Sequence, residues 1–134
     1  AIDRFDYTEY ALSDEAEKVV QSWEKYQELA IQINYLKKAD LSFFNSEAKT
    51  LIEFITALKQ TIPSDLDTNP IKSRIIVLET KILKLNDNLV LDNITLENKL
   101  ESIKEVLVSF TNLSLQINKK LEFDELSVAI FKQF

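Results

Sequence analysis

The residues of this chain best placed to do chemistry are carboxylates. Glu97, Glu101 and Glu105 recur every four residues, a spacing that stacks them on one face of an α-helix. Helical bundles can hold two metal ions between such groups, but the usual site also needs Glu-x-x-His motifs, and the chain has no histidine. The three glutamates are therefore expected to form a solvated face, with Lys99 and Lys104 beside Glu105 and Glu101 in sequence. Asp65, Asp67 and Asn69 reproduce the first three side-chain ligand positions of a calcium-binding EF-hand loop. The match then fails, because Pro70 stands where that loop needs Gly and Ile76 where it needs a bidentate Glu. These three are the metal-ligating candidates, set against a plainer reading in which the acids favour the N-terminus of the next helix. No metal and no cofactor is expected.

What is missing removes most other chemistry. The sequence contains no Gly, no His, no Cys and no Met. Phosphate-cradling loops, dinucleotide fingerprints and nucleophile elbows need backbone conformations or close approaches that a Cβ hinders. Ser/His/Asp and Cys/His nucleophile systems, the usual zinc sites, Cys-held iron–sulfur clusters and thiol redox chemistry are excluded as well, and of the common haem ligands only Tyr is left. A formal charge of −6, with lysines scattered among carboxylates, argues against a nucleic-acid partner. The chain reads as a non-enzyme.

The elements that must carry these residues are helices. Ile71, Ile75, Leu78, Ile82, Leu85 and Leu89, then Leu96, Leu100, Ile103, Leu107 and Phe110, follow one another in steps of three and four, the stripe of a helix that buries one side against other helices. With 134 residues, 46% of them hydrophobic and 28% charged, there is material for one packed domain. The spacing predicts an all-α, antiparallel up-down four-helix bundle over residues 1–134. Helices are expected near 14–38, 42–61, 70–91 and 94–121, with an N-terminal arm over 1–12 and a C-terminal tail over 122–134.

Ser13 should cap the first helix, whose stripe is Ala16, Val19, Trp23, Tyr26, Ala30 and Ile33. Asp40 or Asn45 should cap the second, and Pro63 should end it. Asn69 followed by Pro70 reads as the start of the third. Between Asn86 and Thr95 two readings compete: a single helix of about 50 residues, roughly 75 Å long, or a break with Asp92 or Asn93 capping a fourth helix. Lys81 and Lys84 before the segment and Glu97 after it reset the charge polarity as a helix boundary does, so a hairpin is predicted. Leu51, Ile55, Leu78, Ile82, Ile103 and Leu107 are expected in the core.

Trp23 and Tyr26 could form a stacking platform, but both lie on the stripe, which favours core packing with polar tips at the surface. Phe43, Phe54, Phe123, Phe131 and Phe134 are more aromatic surface than one seam holds, and Phe43, Phe54, Phe131 and Phe134 are the candidate partner-binding residues. The tail from Phe123 to Phe134 is expected to fold back over the bundle and cover an apolar groove beside Phe54. Asn93-Ile94-Thr95 and Asn112-Leu113-Ser114 fit the glycosylation pattern, which three residues meet easily by chance.

No apolar run reaches the roughly 18 residues of a membrane span. The chain begins at Ala1, as it would after removal of an export signal or trimming. Trp23 and Tyr26, the run Leu41-Ser42-Phe43-Phe44-Asn45-Ser46-Glu47, the Ile62-Pro63-Ser64 turn and Leu115-Gln116-Ile117-Asn118-Lys119-Lys120 together resemble small uncharacterised helical proteins of flavobacterial type, made as precursors for export. That resemblance implies a place in the periplasm or attached to the outer membrane, with a lipid anchor upstream as in a lipoprotein, and it assigns no functional residue. The expectation is a non-catalytic interaction or structural module of the cell envelope, monomeric or homodimeric, with an unknown protein partner. The alternatives are a bundle holding an apolar ligand between its helices and a carboxylate-only metal protein.

Overall fold

The computed structural model describes residues 5–133. Among them the chain is all-helical: five α-helices, one 3-10 turn and no strand. The helices are α1 (Asp14–Val20), α2 (Glu24–Lys37), α3 (Ala48–Gln60), α4 (Asn69–Val90) and α5 (Leu96–Phe131). The principal packed pair is α4 with α5; α3 packs on α4, and α1 and α2 each touch α5.

Ser13 caps α1 as expected, its hydroxyl accepting from the Ala16 amide at 3.1 Å. The single helix predicted over 14–38 is broken, however, at Gln21–Trp23. Trp23 leaves helical geometry (φ −98°, ψ 80°), is fully buried, and donates from its indole nitrogen to the Leu58 carbonyl at 3.2 Å. Burying a large indole with its N–H satisfied offsets the lost helical bonds. The carbonyls freed at the end of α1 find side-chain donors, Ser22 Oγ to Val19 at 3.2 Å and Gln27 Nε2 to Val20 at 3.0 Å. The break also changes the buried face: Leu29 and Leu36 join Tyr26 and Ile33 in the core of α2, while Ala30 is only half-buried.

The end of α2 shows what a chain without glycine must do. The Ala39 amide donates to the Leu36 carbonyl at 3.0 Å and the Asp40 amide to Tyr35 at 2.9 Å, the paired bonds of a Schellman cap. This places Ala39 in the left-handed region at φ 67°, where glycine is usual. Asp40 caps the turn that follows and not a helix, its Oδ1 accepting from the Ser42 amide at 3.1 Å and the Ser42 hydroxyl at 2.6 Å. The second predicted helix, expected from 42, therefore starts as α3 at Ala48, and neither Asp40 nor Asn45 caps it; Glu47 is its N-cap residue. Asn86, buried on α4, explains the delay. Its Nδ2 donates to the carbonyls of Phe44 at 3.0 Å and Ser46 at 2.6 Å, holding the 41–46 turn out of helical register while Phe44 is fully buried.

Pro63 follows the end of α3 as predicted, and a 3-10 turn at Ser64–Leu66 buries Leu66. Thr68, one residue before the expected cap, accepts from the Ile71 amide at 3.5 Å and opens α4. The chain breaks after Val90 and restarts at Leu96, with Thr95 capping in place of Asp92 or Asn93; its hydroxyl accepts from the Asn98 amide at 3.1 Å. The hairpin is formed, and the 75 Å rod is not. Leu51, Ile55, Leu78, Ile82, Ile103 and Leu107 are all buried. Two of the buried serines on α5 bond to their own helix, Ser109 Oγ to Val106 at 3.0 Å and Ser114 Oγ to Phe110 at 3.3 Å, and among the described residues no buried side-chain polar atom lacks a partner.

The described part of the N-terminal arm, from Phe5, is tied to α5. The Tyr10 amide donates to Thr111 Oγ1 at 2.5 Å, the Ser13 amide donates to Asn118 Oδ1 at 2.9 Å, and Asn118 Nδ2 returns a bond to the Ala11 carbonyl at 2.9 Å. Glu9 pairs with Lys37 on α2, whose ammonium loses enough water there that its pKa falls below the ordinary lysine value.

The C-terminal tail departs furthest from expectation. Residues 122–131 neither form a separate arm nor fold back; they continue α5 to a total of 36 residues, about 54 Å. Beyond Asn118 there is no Gly, Pro or Asn of the kind that ends a helix, and Lys120 pairs with Asp124 one turn ahead where the end had been expected.

Candidate functional site

The metal-ligating candidates lie in and just after the turn that precedes α4. Asp65 lies in the 3-10 turn, Asp67 is engaged by Lys72 Nζ at 2.7 Å, and Asn69 is the first residue of α4. Glu105 is not paired with its sequence neighbours Lys99 and Lys104; it bridges the hairpin to Lys84 at 3.0 Å and Lys81 at 3.8 Å, because the side chains of α4 stand closer than those along its own helix. Glu97 and Glu101 are exposed. Among the described residues no group of three or more acidic side chains converges in a way that could hold a metal ion.

Trp23 and Tyr26 stack on each other at 5.3 Å, and Tyr26 stacks on Phe110 at 5.7 Å. Both are buried, and their polar tips do not reach the surface as expected: the indole is bonded to Leu58, and the Tyr26 hydroxyl meets Ser114 Oγ at 3.5 Å. Burial raises the Tyr26 pKa, with the Ser114 bond acting in the opposite sense, so the phenol stays protonated. They are core and offer no platform.

The partner candidates fall into two groups. Phe43 packs edge-on against Phe44 at 5.0 Å and Phe54 at 5.2 Å, and Lys25 Nζ sits 5.4 Å from the Phe54 ring centre. Phe44 is fully buried and Phe43 and Phe54 half-buried, with Lys25 a cation over the Phe54 face. Among the described residues the tail does not cover Phe54, because residues up to Phe131 continue α5. Phe131 is instead 84% exposed near the end of α5, and Phe134 lies outside the described residues.

Around Phe131 the helix carries the most concentrated exposed apolar surface of the described chain. Phe123 is 66% exposed, Leu126 59%, Val128 54% and Ile130 49%. Exposed hydrophobes scattered singly are ordinary; here five large ones fall between Phe123 and Phe131. Open hollows flank it: one is floored by Pro70 and Ile71 of α4 beside Phe123, and another lies between Val19 of α1 and Leu121 and Val128 of α5. Glu122, Asp124 and Glu125 against Lys132 leave the stretch acidic.

Sequence reasoning identified the greasy terminus and misjudged its conformation. The readable signal was the absence of any helix breaker beyond Lys120. It missed Asn86 because an asparagine in a helical segment looks like a solvated residue until its partner is known.

No protein-family model, curated protein or solved structure matches this chain.

Proposed function

We propose that this protein is a non-catalytic helical interaction module of the bacterial cell envelope. In this reading α1 and α2 act as one broken leg of an up-down four-helix scaffold, completed by α3, α4 and α5. The observation that carries it is the free end of α5, where five large apolar side chains between Phe123 and Phe131 stand in water. Isolated apolar surface of this size costs free energy unless a partner covers it. The placement in the envelope rests on the resemblance to exported flavobacterial proteins. No helix of the described residues is long and apolar enough to cross a membrane.

The test is a photoreactive phenylalanine analogue placed at Phe123 or Phe131 in cells that make the protein, with Lys18 on α1 as the control position. An interaction module gives discrete protein adducts from 123 and 131 and none from 18. Adducts from neither end position would overturn the reading.

A further inference from the structure

We propose that the N-terminal arm and α1 open as one unit about the Gln21–Trp23 break, by straightening of α1 and α2 into a single helix, and that this opening uncovers the face of Tyr26 and Phe110. It goes beyond the interaction-module reading and holds whether or not the α5 end has a partner. The break is a contest between two arrangements of the same residues. From Asp14 to Lys37 the sequence contains no Gly or Pro, so nothing local forbids a continuous helix. In the bent form Trp23 is the N-cap residue of α2, and no side chain caps the first amides of that helix; an indole carries no acceptor to do so. Straightening gives the Glu24, Lys25 and Tyr26 amides the carbonyls of Val20, Gln21 and Ser22. Trp23 stays on the face of Tyr26, three residues on.

What holds the bent form is a small set of distant contacts. Trp23 is tied to the Leu58 carbonyl. Ahead of α1, the Tyr10 amide donates to Thr111 Oγ1 at 2.5 Å, and Asn118 accepts from the Ser13 amide and donates to the Ala11 carbonyl, both at 2.9 Å. Glu9 adds the ion pair with Lys37. Each of these arm bonds ends on a side chain of α5 or α2, so the arm can part from the bundle without unwinding either helix. Within α1 only Ala16 and Val20 are fully buried, against Tyr26, Leu29, Ile33 and Leu36 in α2, which makes α1 the weaker-anchored half. Tyr10, Leu12 and Val20 of the moving unit line one hollow with Tyr26, Phe110 and Ser114 of the bundle, and that hollow is what the opening exposes.

The test is hydrogen exchange of the Tyr10 and Ser13 amides in the purified full chain, followed by NMR. Asn118→Ala removes two bonds of the arm and should speed both amides together, by about tenfold. Glu24→Pro fits the bent form, because proline suits the first position of a helix and Trp23 before it already lies outside helical geometry. It opposes the straight form, where it would lose the bond to Val20 and clash with that carbonyl, so it should slow both amides at least about tenfold. Two amides that exchange at unrelated rates, or a Glu24→Pro rate equal to the parent's, would show an arm that frays without a hinge and overturn the proposal. Should Glu24→Pro fail to fold, spin labels on Glu15→Cys and Tyr35→Cys decide in its place, the chain having no cysteine of its own. The straight helix sets the two labelled positions about 30 Å apart. That distance should appear beside a shorter one and grow in Asn118→Ala; a single distance, the same in both proteins, overturns the opening.

Discussion

The side-chain amide of Asn86 reaches 42 residues back to the carbonyl of Phe44, donating at 3.0 Å from a fully enclosed position. With its second bond to Ser46, this amide takes both acceptors that would otherwise extend α3 towards Leu41. Asn86→Asp keeps the shape but has no donor, leaving two carbonyls unsatisfied beside a buried charge. It should cost more than Asn86→Leu, which removes the donor alone at about 1–3 kcal/mol. Thermal melts of the two variants check the order, and Asp melting at or above Leu would remove the amide's assigned role.

Ala39 offers a gain. A residue with a Cβ at φ 67° is strained by about 1–2 kcal/mol relative to glycine, some of which glycine forfeits through its freer unfolded chain. Ala39→Gly should raise the melting temperature by about 2–5 °C. No rise would mean that the Schellman cap is not formed in solution.

Trp23 is the sole tryptophan and reports on the break between α1 and α2. Its fluorescence should be blue-shifted in the folded protein and move to the red in one cooperative transition on unfolding. Trp23→Ala removes a fully buried indole and should cost about 3–5 kcal/mol; Trp23→Phe should recover most of this, losing mainly the bond to Leu58. Folded-state emission at the position of free tryptophan would place the ring in water and contradict the buried contact.

The Asp40 carboxyl is held below the usual aspartate range by its bonds from the Ser42 hydroxyl and amide. A depressed folded pKa stabilises the fold above the unfolded pKa and loses that stabilisation as pH falls through the folded value. Asp40→Ala should therefore melt below the parent at pH 7, with the gap narrowing as pH drops through the carboxylate range. A gap that stays constant from pH 7 to pH 2 would show that the carboxylate is not the stabilising group.

Residues whose fate depends on local periodicity were legible from the sequence. Leu51, Ile55, Leu78, Ile82, Ile103 and Leu107 share a 3.6-residue rhythm, and all are buried; the α4–α5 hairpin followed from charge polarity around the Asn86–Thr95 segment. What was not legible depended on partners distant in sequence. The Trp23 break requires the Leu58 carbonyl, 35 residues away, and the late start of α3 requires Asn86. The candidate site failed differently. Phe54 and Phe131 were assigned to one covered groove on aromatic content alone, but Phe54 lies under Phe43 and Lys25 while Phe131 stands free, because the helix that carries Phe131 never turns back.

That geometry reverses the expected effect of removing the C-terminus. Were the tail a cover, deleting residues 123–134 would uncover apolar surface and increase dye binding. In the structure the residues from Phe123 to Phe131 are themselves the exposed apolar surface, while the core ends on α5 at Ile117. All but Asp124 of residues 123–133 are exposed, so removing the segment forfeits little burial, and local stability follows such burial. The shortened protein should melt within a few degrees of the parent, lose helical signal in proportion to the residues removed, and bind less of a hydrophobic dye. Greater dye binding with a large drop in melting temperature would return the tail to its role as a cover and remove the free α5 end as a docking surface.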